Sequence, residues 1–223
     1  KGCLSLFTEA TGTLTITETA LNRNNAQRCF YRRNGPVVPT VARRGWSDAR
    51  NFSHACRHVA ASEDVVVASV RGSADGSKDP EQAVQRVAAE IIVNVLRKLG
   101  PDAPRLIYVG GAGSLEVKPG VTYAESLGGF AKAMMPASVE QEIQGHVLTL
   151  DYLRTVSDVC WTYISPAKKF APGDRTGVYR LGADTMLLDN KGKNRISMED
   201  FAVALVDEIE NAQHIGARIS VAY

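Results

Sequence analysis

The sequence predicts an α/β fold: a Rossmann-like, doubly wound parallel sheet with a small C-terminal substrate-side lobe. Three observations predict it. Short apolar runs alternate with helical segments, the run Asp64-Val65-Val66-Val67-Ala68-Ser69-Val70 is apolar without alternation, and 44% of the 223 residues are hydrophobic. Strands that alternate with helices need crossovers and lie parallel, and a parallel strand covered on both faces reads as an unbroken apolar run. A chain of this length and apolar content buries one sizeable core, so 1–223 is read as a single domain, with the lobe built mainly from 115–157 and 166–217.

Taken in order, the apolar run 3–7 enters a small-residue turn, and residues 13–24 are expected to be helical. Strand candidates follow at 27–31 and 37–42, then a helix at 48–61 and the strand at 65–70. Within 79–99, Val84, Val87, Ala88, Ile91, Ile92, Val95 and Leu96 recur at helical spacing. A strand at 106–109 runs into Gly110-Gly111-Ala112-Gly113-Ser114. Gly120, Gly128, Gly129 and Pro136 then punctuate the approach to a helix near 138–156, which leads to a strand at 160–164. In the tail, Asp189-Asn190-Lys191-Gly192 is turn chemistry, Ser197-Met198-Glu199-Asp200 resembles a capping box, and Phe201, Leu205 and Ile209 form one apolar stripe.

The totals exclude several classes. A formal charge of +2 with no long basic run interleaved with aromatics gives no phosphate-backbone footprint, so nucleic acid is not an expected partner. No apolar run approaches membrane-spanning length and no signal-peptide pattern opens the chain. Cys3, Cys29, Cys56 and Cys160 are far apart and form no CxxC pair, which suits reduced thiols and a cytoplasmic setting. His54 and His58 share a helix face, but Cys56 points away and no carboxylate supports the pair, so no metal site is expected. No Gly-x-Ser-x-Gly elbow is present, which sets a hydrolase aside.

The first strand-to-helix turn of a doubly wound sheet holds pyrophosphate through backbone N–H groups and the helix dipole, with glycines allowing close approach. Gly12 sits where such a turn needs one. Glu9 and Thr15 occupy the flanking positions of the GxxGxxG spacing. Arg32 and Arg33 follow the second strand candidate, where an arginine pairs with a ribose 2′-phosphate. At the other end, Ser114 offers a hydroxyl that either orients an acceptor or satisfies its own glycine turn. His146 lies on the long helix facing the cleft, as a proton donor or as a helix histidine. Ser114 and His146 are the candidate catalytic residues.

From Tyr108 to Val117, from Trp161 to Pro166, from Phe170 to Gly177, at Arg180-Leu181-Gly182 and from Ile196 to Ala202, the chain resembles the atypical, NmrA-like branch of the short-chain dehydrogenase/reductases, of the NADH-flavin reductase type. The resemblance is specific from about residue 80 onward, and earlier it retains Ala10-Thr11-Gly12 of the family's Gly-Ala-Thr-Gly loop. It implies a reduced nicotinamide cofactor, which the Arg32-Arg33 pair makes NADP with NAD possible, and hydride delivery to a small-molecule acceptor, a flavin or similar flat ring acting as substrate rather than as bound prosthetic group. It further implies that Thr11, Gly12, Thr13 and Leu14 meet the pyrophosphate and Arg32 the adenosine end. Gly45 and Trp46 would sit by the adenine, Ala68, Ser69 and Val70 would follow the ribose, and Gly110, Gly111 and Ser114, with Ser165 and Pro166, would line the nicotinamide and substrate end. A monomer or homodimer is expected.

Classical members of that superfamily pair a tyrosine with a lysine four residues on, and no such pair occurs here. Reduction of a flat ring needs less, because its nitrogen or oxygen takes a proton from water. The competing reading is a cofactor-poor Rossmann protein that binds or regulates, or that acts without redox on a small aromatic metabolite.

Overall fold

The computed structural model describes residues 3–8, 14–18, 64–70 and 83–223. The valine-rich run folds as strand β3 (Val65–Ser69), at the heart of a seven-stranded sheet. Beside it lies β1 (Cys3–Thr8), which pairs with it in parallel, and outside that β2 (Leu14–Glu18). On the other side follow β4 (Arg105–Val109), β7 (Trp161–Pro166), β11 (Ala217–Ala222) and the short edge strand β9 (Arg180–Gly182). From β1 to β11 the pairings are all parallel, and only the edges β2 and β9 are antiparallel. Two minor ribbons complete the strands: β5 (Glu116–Lys118) with β6 (Val121–Thr122), and β8 (Lys169–Ala171) with β10 (Arg195–Ser197).

Helices cover both faces of the sheet. On one face α1 (Val84–Leu99) brings Ala88, Ala89, Ile92, Val93, Val95 and Leu96 against Val66, Ala68, Leu106, Tyr108 and Tyr163. After two short helices, α2 (Tyr123–Ser126) and α3 (Gly129–Ala133), the long helix α4 (Ala137–Thr155) joins that same layer through Leu150 and Leu153. On the opposite face α5 (Met198–Asn211) seats Phe201, Ala204, Leu205 and Ile209 on Val65, Val67, Ile107, Ile164 and Ile219. Adjacent residues of one strand thus serve different layers, as the two-residue strand period demands. Doubly wound packing is the result, with Trp161 under the α1–α4 layer and its indole N–H on the Val156 carbonyl, 3.0 Å away.

One expected element is different. Residues 13–24 were to open as a helix, yet Leu14–Glu18 is a strand that runs antiparallel to β1, Thr8 opposite Leu14 and Leu4 opposite Glu18. Leu14-Thr15-Ile16-Thr17 alternates apolar and polar residues, three of its four being β-branched, and that local period outweighs the position after the first strand. The expected strands at 27–31 and 37–42 and the helix at 48–61 lie outside the described residues.

Two buried polar locks hold α5. At the amino ends of the strands, Arg105 (side chain 9% exposed) donates to Glu208 Oε1 at 3.0 Å and to the Glu208 carbonyl at 2.8 Å. Glu208 also accepts the backbone N–H of His214 at 3.1 Å and sits 2.7 Å from its ring Nδ1. At the other end Ser197 caps α5, accepting the Asp200 N–H at 3.0 Å. The Asp200 carboxylate then collects the Thr176 hydroxyl at 2.6 Å, the Gly177 N–H at 2.7 Å and the Tyr223 hydroxyl at 2.8 Å. Burial of this carboxyl favours its neutral form, but the Thr176, Tyr223 and Gly177 donors outweigh it and hold its pKa below the ordinary value.

Two predictions follow from these locks. Glu208→Ala leaves a buried guanidinium without its counter-charge and should cost about 3–5 kcal/mol, read as a lower midpoint in urea unfolding. The stabilisation from Asp200 is present above the unfolded carboxylate pKa of about 3.9 and is lost as pH falls below it through the lower folded value. Asp200→Asn should therefore flatten the acid limb of stability against pH, measured by denaturant unfolding at a series of pH values.

Candidate functional site

Parallel strands deliver their carboxyl ends to one rim of the sheet, and ligands of open α/β sheets bind outside that rim. Here β3, β4 and β7 lie side by side, with Ala68, Tyr108 and Tyr163 in one row across them. The Gly110 N–H donates to the Ile164 carbonyl at 2.9 Å and continues the ladder past the strand end. Two residues beyond the tyrosine row, on the same face, stand Val70, Gly110 and Ser165. Sequence reasoning placed these three at the ribose and nicotinamide end, and the sheet register brings them together.

The glycine turn is shaped by protein against protein. A β-carbon on Gly110 would stand 2.0 Å from Cζ of Tyr163, so the aromatic ring against this glycine is the chain's own. A β-carbon on Gly113 would meet Cγ2 of Ile143 at 2.6 Å, and one on Gly111 would approach Cδ2 of His146 to 3.2 Å. The glycines thus let α4 and the Tyr163 ring close onto the end of β4, and Ala112–Ser114 winds as a single 3₁₀ turn beneath them. Gly145 performs the reverse service on α4, its bare Cα facing Oε1 of Gln85 and the Ala83 methyl of the α1 layer.

Tyr108 and Tyr163 stack with ring planes 1° apart and centroids 5.9 Å apart. Tyr163 donates its hydroxyl to the His146 carbonyl at 3.0 Å, and Tyr108 donates to the Gln85 carbonyl at 2.8 Å. Burial pushes both phenols well up from the ordinary tyrosine value. Both stay neutral at physiological pH and act as structural donors rather than as proton-transfer groups.

Ser114 and His146, the candidate catalytic pair, flank this turn. His146 is buried on α4 with its ring beside Gly111. Ser114 is buried as well, and its carbonyl and hydroxyl oxygens lie 3.3 and 3.5 Å from the guanidinium of Arg218, on β11. Arg218 is anchored by Asp184, whose Oδ1 accepts Nε at 2.8 Å and Nη2 at 2.6 Å. Arg154 of α4 reaches the same carboxylate oxygen at 2.7 Å. Sequence reasoning missed Arg218 and Asp184. The available signal was a single arginine within Ala217-Arg218-Ile219-Ser220-Val221, where a buried charge demands a partner.

Deeper in the rim, the Ser165 hydroxyl and both amide atoms of Gln85 are buried without a hydrogen-bond partner. Such groups are costly unless something satisfies them, so they mark where a polar ligand edge would be welcomed. Pro166 ends β7 beside Ser165, and Ser69 ends β3 beside Val70. Leu14, expected at a helix start against pyrophosphate, opens strand β2 instead. Thr11, Gly12, Thr13, Arg32, Arg33, Gly45 and Trp46 lie outside the described residues. Among the described residues no cluster of three His, Cys, Asp or Glu side chains could hold a metal, and no helix is long and apolar enough to cross a membrane.

This geometry has close relatives. The chain is 32% identical to the uncharacterized protein YwnB of Bacillus subtilis strain 168 over 163 residues, which span 71% of this chain and 72% of YwnB. The chain belongs to the atypical short-chain dehydrogenase/reductase family. Among solved structures, a candidate exported protein of Burkholderia pseudomallei is 34% identical, with a TM-score of 0.64 over 79% of each chain. A candidate NADH-flavin reductase of Streptococcus pneumoniae TIGR4 is 28% identical, with a TM-score of 0.58 over 74% of each chain. No family model matches the chain.

The packing itself is testable. Gly110→Ala places a methyl inside the Tyr163 ring and should destabilise by about 1–3 kcal/mol or more, with a matching fall in melting temperature. Restoring stability in the double variant Gly110→Ala with Tyr163→Leu would confirm the contact.

Proposed function

We propose that the protein is an NADPH-preferring reductase that delivers hydride to a flavin or similar flat acceptor. One observation carries the reading: the rim where β3, β4 and β7 end gathers the buried, unpartnered Ser165 hydroxyl with Gly110, Gly111, Ser114 and His146. A nicotinamide carboxamide suits that hydroxyl, which would accept from its NH₂ or donate to its carbonyl. When bound, the reduced nicotinamide supplies the hydride. The protein's own part is to orient and to exclude water. Ser165 and Pro166 would hold the nicotinamide edge, Ala68, Ser69 and Val70 would follow the ribose, and Ser114 would offer its hydroxyl to the acceptor. The neutral tyrosines support the wall without entering the chemistry, consistent with an acceptor that draws its proton from water.

In this reading segments 115–157 and 166–217 wall the acceptor side of a single domain. Arg32 and Arg33 meet the 2′-phosphate, while Gly45 and Trp46 stand by the adenine. Thr11, Gly12 and Thr13 supply backbone N–H groups to the pyrophosphate, now without the helix that was expected behind them. The protein works as a monomer or homodimer in the cytoplasm, a location that the thiol spacing supports and that cell fractionation would test.

The strand at Leu14–Glu18 favours a second reading, a cofactor-poor Rossmann protein that binds or regulates, because a strand supplies no helix dipole for a diphosphate. Thermal unfolding separates the two. Saturating NADPH should raise the melting temperature by a few degrees, as about 2–4 kcal/mol of binding linkage requires, and NADH should raise it less. Arg32→Ala should erase that difference. No shift with either nucleotide would favour the second reading.

A further inference from the structure

Arg218 has a place in the site that neither its position in the last strand nor the family resemblance assigns. Its side chain is 3% exposed, and its donors divide between two targets. Nε and Nη2 go to Asp184, while Nη1 and Nη2 reach the Ser114 hydroxyl oxygen at 3.5 Å and the Ser114 carbonyl at 3.3 Å. The Asp184 carbonyl also accepts the Glu116 N–H at 2.8 Å, so the same residue fastens the chain on the far side of Ser114. Three elements far apart in sequence thereby meet on one serine.

A guanidinium carries donors only and stays charged at every working pH. Toward Arg218, therefore, the Ser114 oxygen can only accept. Its hydroxyl hydrogen must point away from Arg218, and among the described residues no acceptor takes it. A serine left to its own glycine turn would spend that hydrogen on a backbone carbonyl. Among the described residues, the hydrogen bond to the Ser114 hydroxyl is the one from Arg218.

We infer that Arg218, held by Asp184, is a positioning residue that turns Ser114 into a hydrogen-bond donor facing the hydride acceptor. The inference rests on the reductase reading above and specifies its acceptor: a flat ring with a carbonyl oxygen or ring nitrogen at the edge receiving the electrons. The hydride leaves the reduced nicotinamide with both electrons, the acceptor gains it together with a proton from water, and the oxidised nicotinamide departs. Ser114 gives a hydrogen bond to the charge that develops and gives up no proton.

The test is a cycle of Arg218→Lys, Asp184→Asn, Ser114→Ala and the Arg218→Lys/Ser114→Ala double variant, assayed by single-turnover NADPH oxidation with riboflavin as acceptor. Lysine keeps the charge but loses the fork, so hydride transfer should slow roughly tenfold, short of the about hundredfold loss from removing a donor outright. The NADPH dissociation constant should stay within about twofold. In the Ser114→Ala background Arg218→Lys should slow the step no further, and Asp184→Asn should reproduce the Arg218→Lys phenotype should the lysine variant not fold. Additive losses in the double variant, or weakened NADPH binding with an unchanged hydride step, would overturn the inference. The reductase reading fails separately, in the wild type, if NADPH binds and no flat acceptor is reduced. The same cycle then decides the Arg218–Ser114 pairing by melting temperature, where strictly additive losses overturn it.

Discussion

The structure depends on how closely α4 can approach the end of β4. That approach is permitted by missing β-carbons at Gly110, Gly111 and Gly113 on the strand side and at Gly145 on the helix side. Into the first gap goes the Tyr163 ring, which stacks on Tyr108 and hangs its hydroxyl on the His146 carbonyl. Any β-carbon at Gly110 would have to move an aromatic side chain with no exposed surface, in an interior packed at crystal density. Once the helix is seated, His146 and Ser114 lie on either side of the turn, and the rim is defined.

The tyrosines also show why the absence of a tyrosine–lysine pair is chemically coherent. Both phenols near the rim are fully buried, hydrogen-bonded to backbone carbonyls and held neutral by burial. At the rim stand the serine hydroxyls of Ser114 and Ser165, and the charge behind Ser114 is a guanidinium. That arrangement suits electrostatic stabilisation of a developing charge better than proton exchange with an alcohol.

Much of this was legible in the sequence, for physical reasons. The α1 and α5 stripes and the unbroken valine run are period signals produced by burial itself, and they gave helices and strands to within a few residues. Ser197 and Asp189 announced a cap and a turn through side chains that bond their own backbone, and both do so. At Leu14–Glu18 the expectation drawn from element order met a two-residue period, and the local period prevailed. Glycine composition alone does not say what fills the space beside it, and at Gly110 that space is taken by the Tyr163 ring. Arg218 and Asp184 escaped notice because their pairing spans 34 residues and leaves no spacing to read.

The Arg105–Glu208 lock lies at the amino end of the strands, with the length of the strands between it and Ser165 at the rim. One of the two locks on α5 therefore stands clear of the rim, while the other, at Ser197 and Asp200, lies at the rim's own end of the sheet. Side chains at the rim can thus be exchanged without loss of the Arg105 anchor, which keeps the carboxyl end of α5 on the sheet whichever residues line the opposite end.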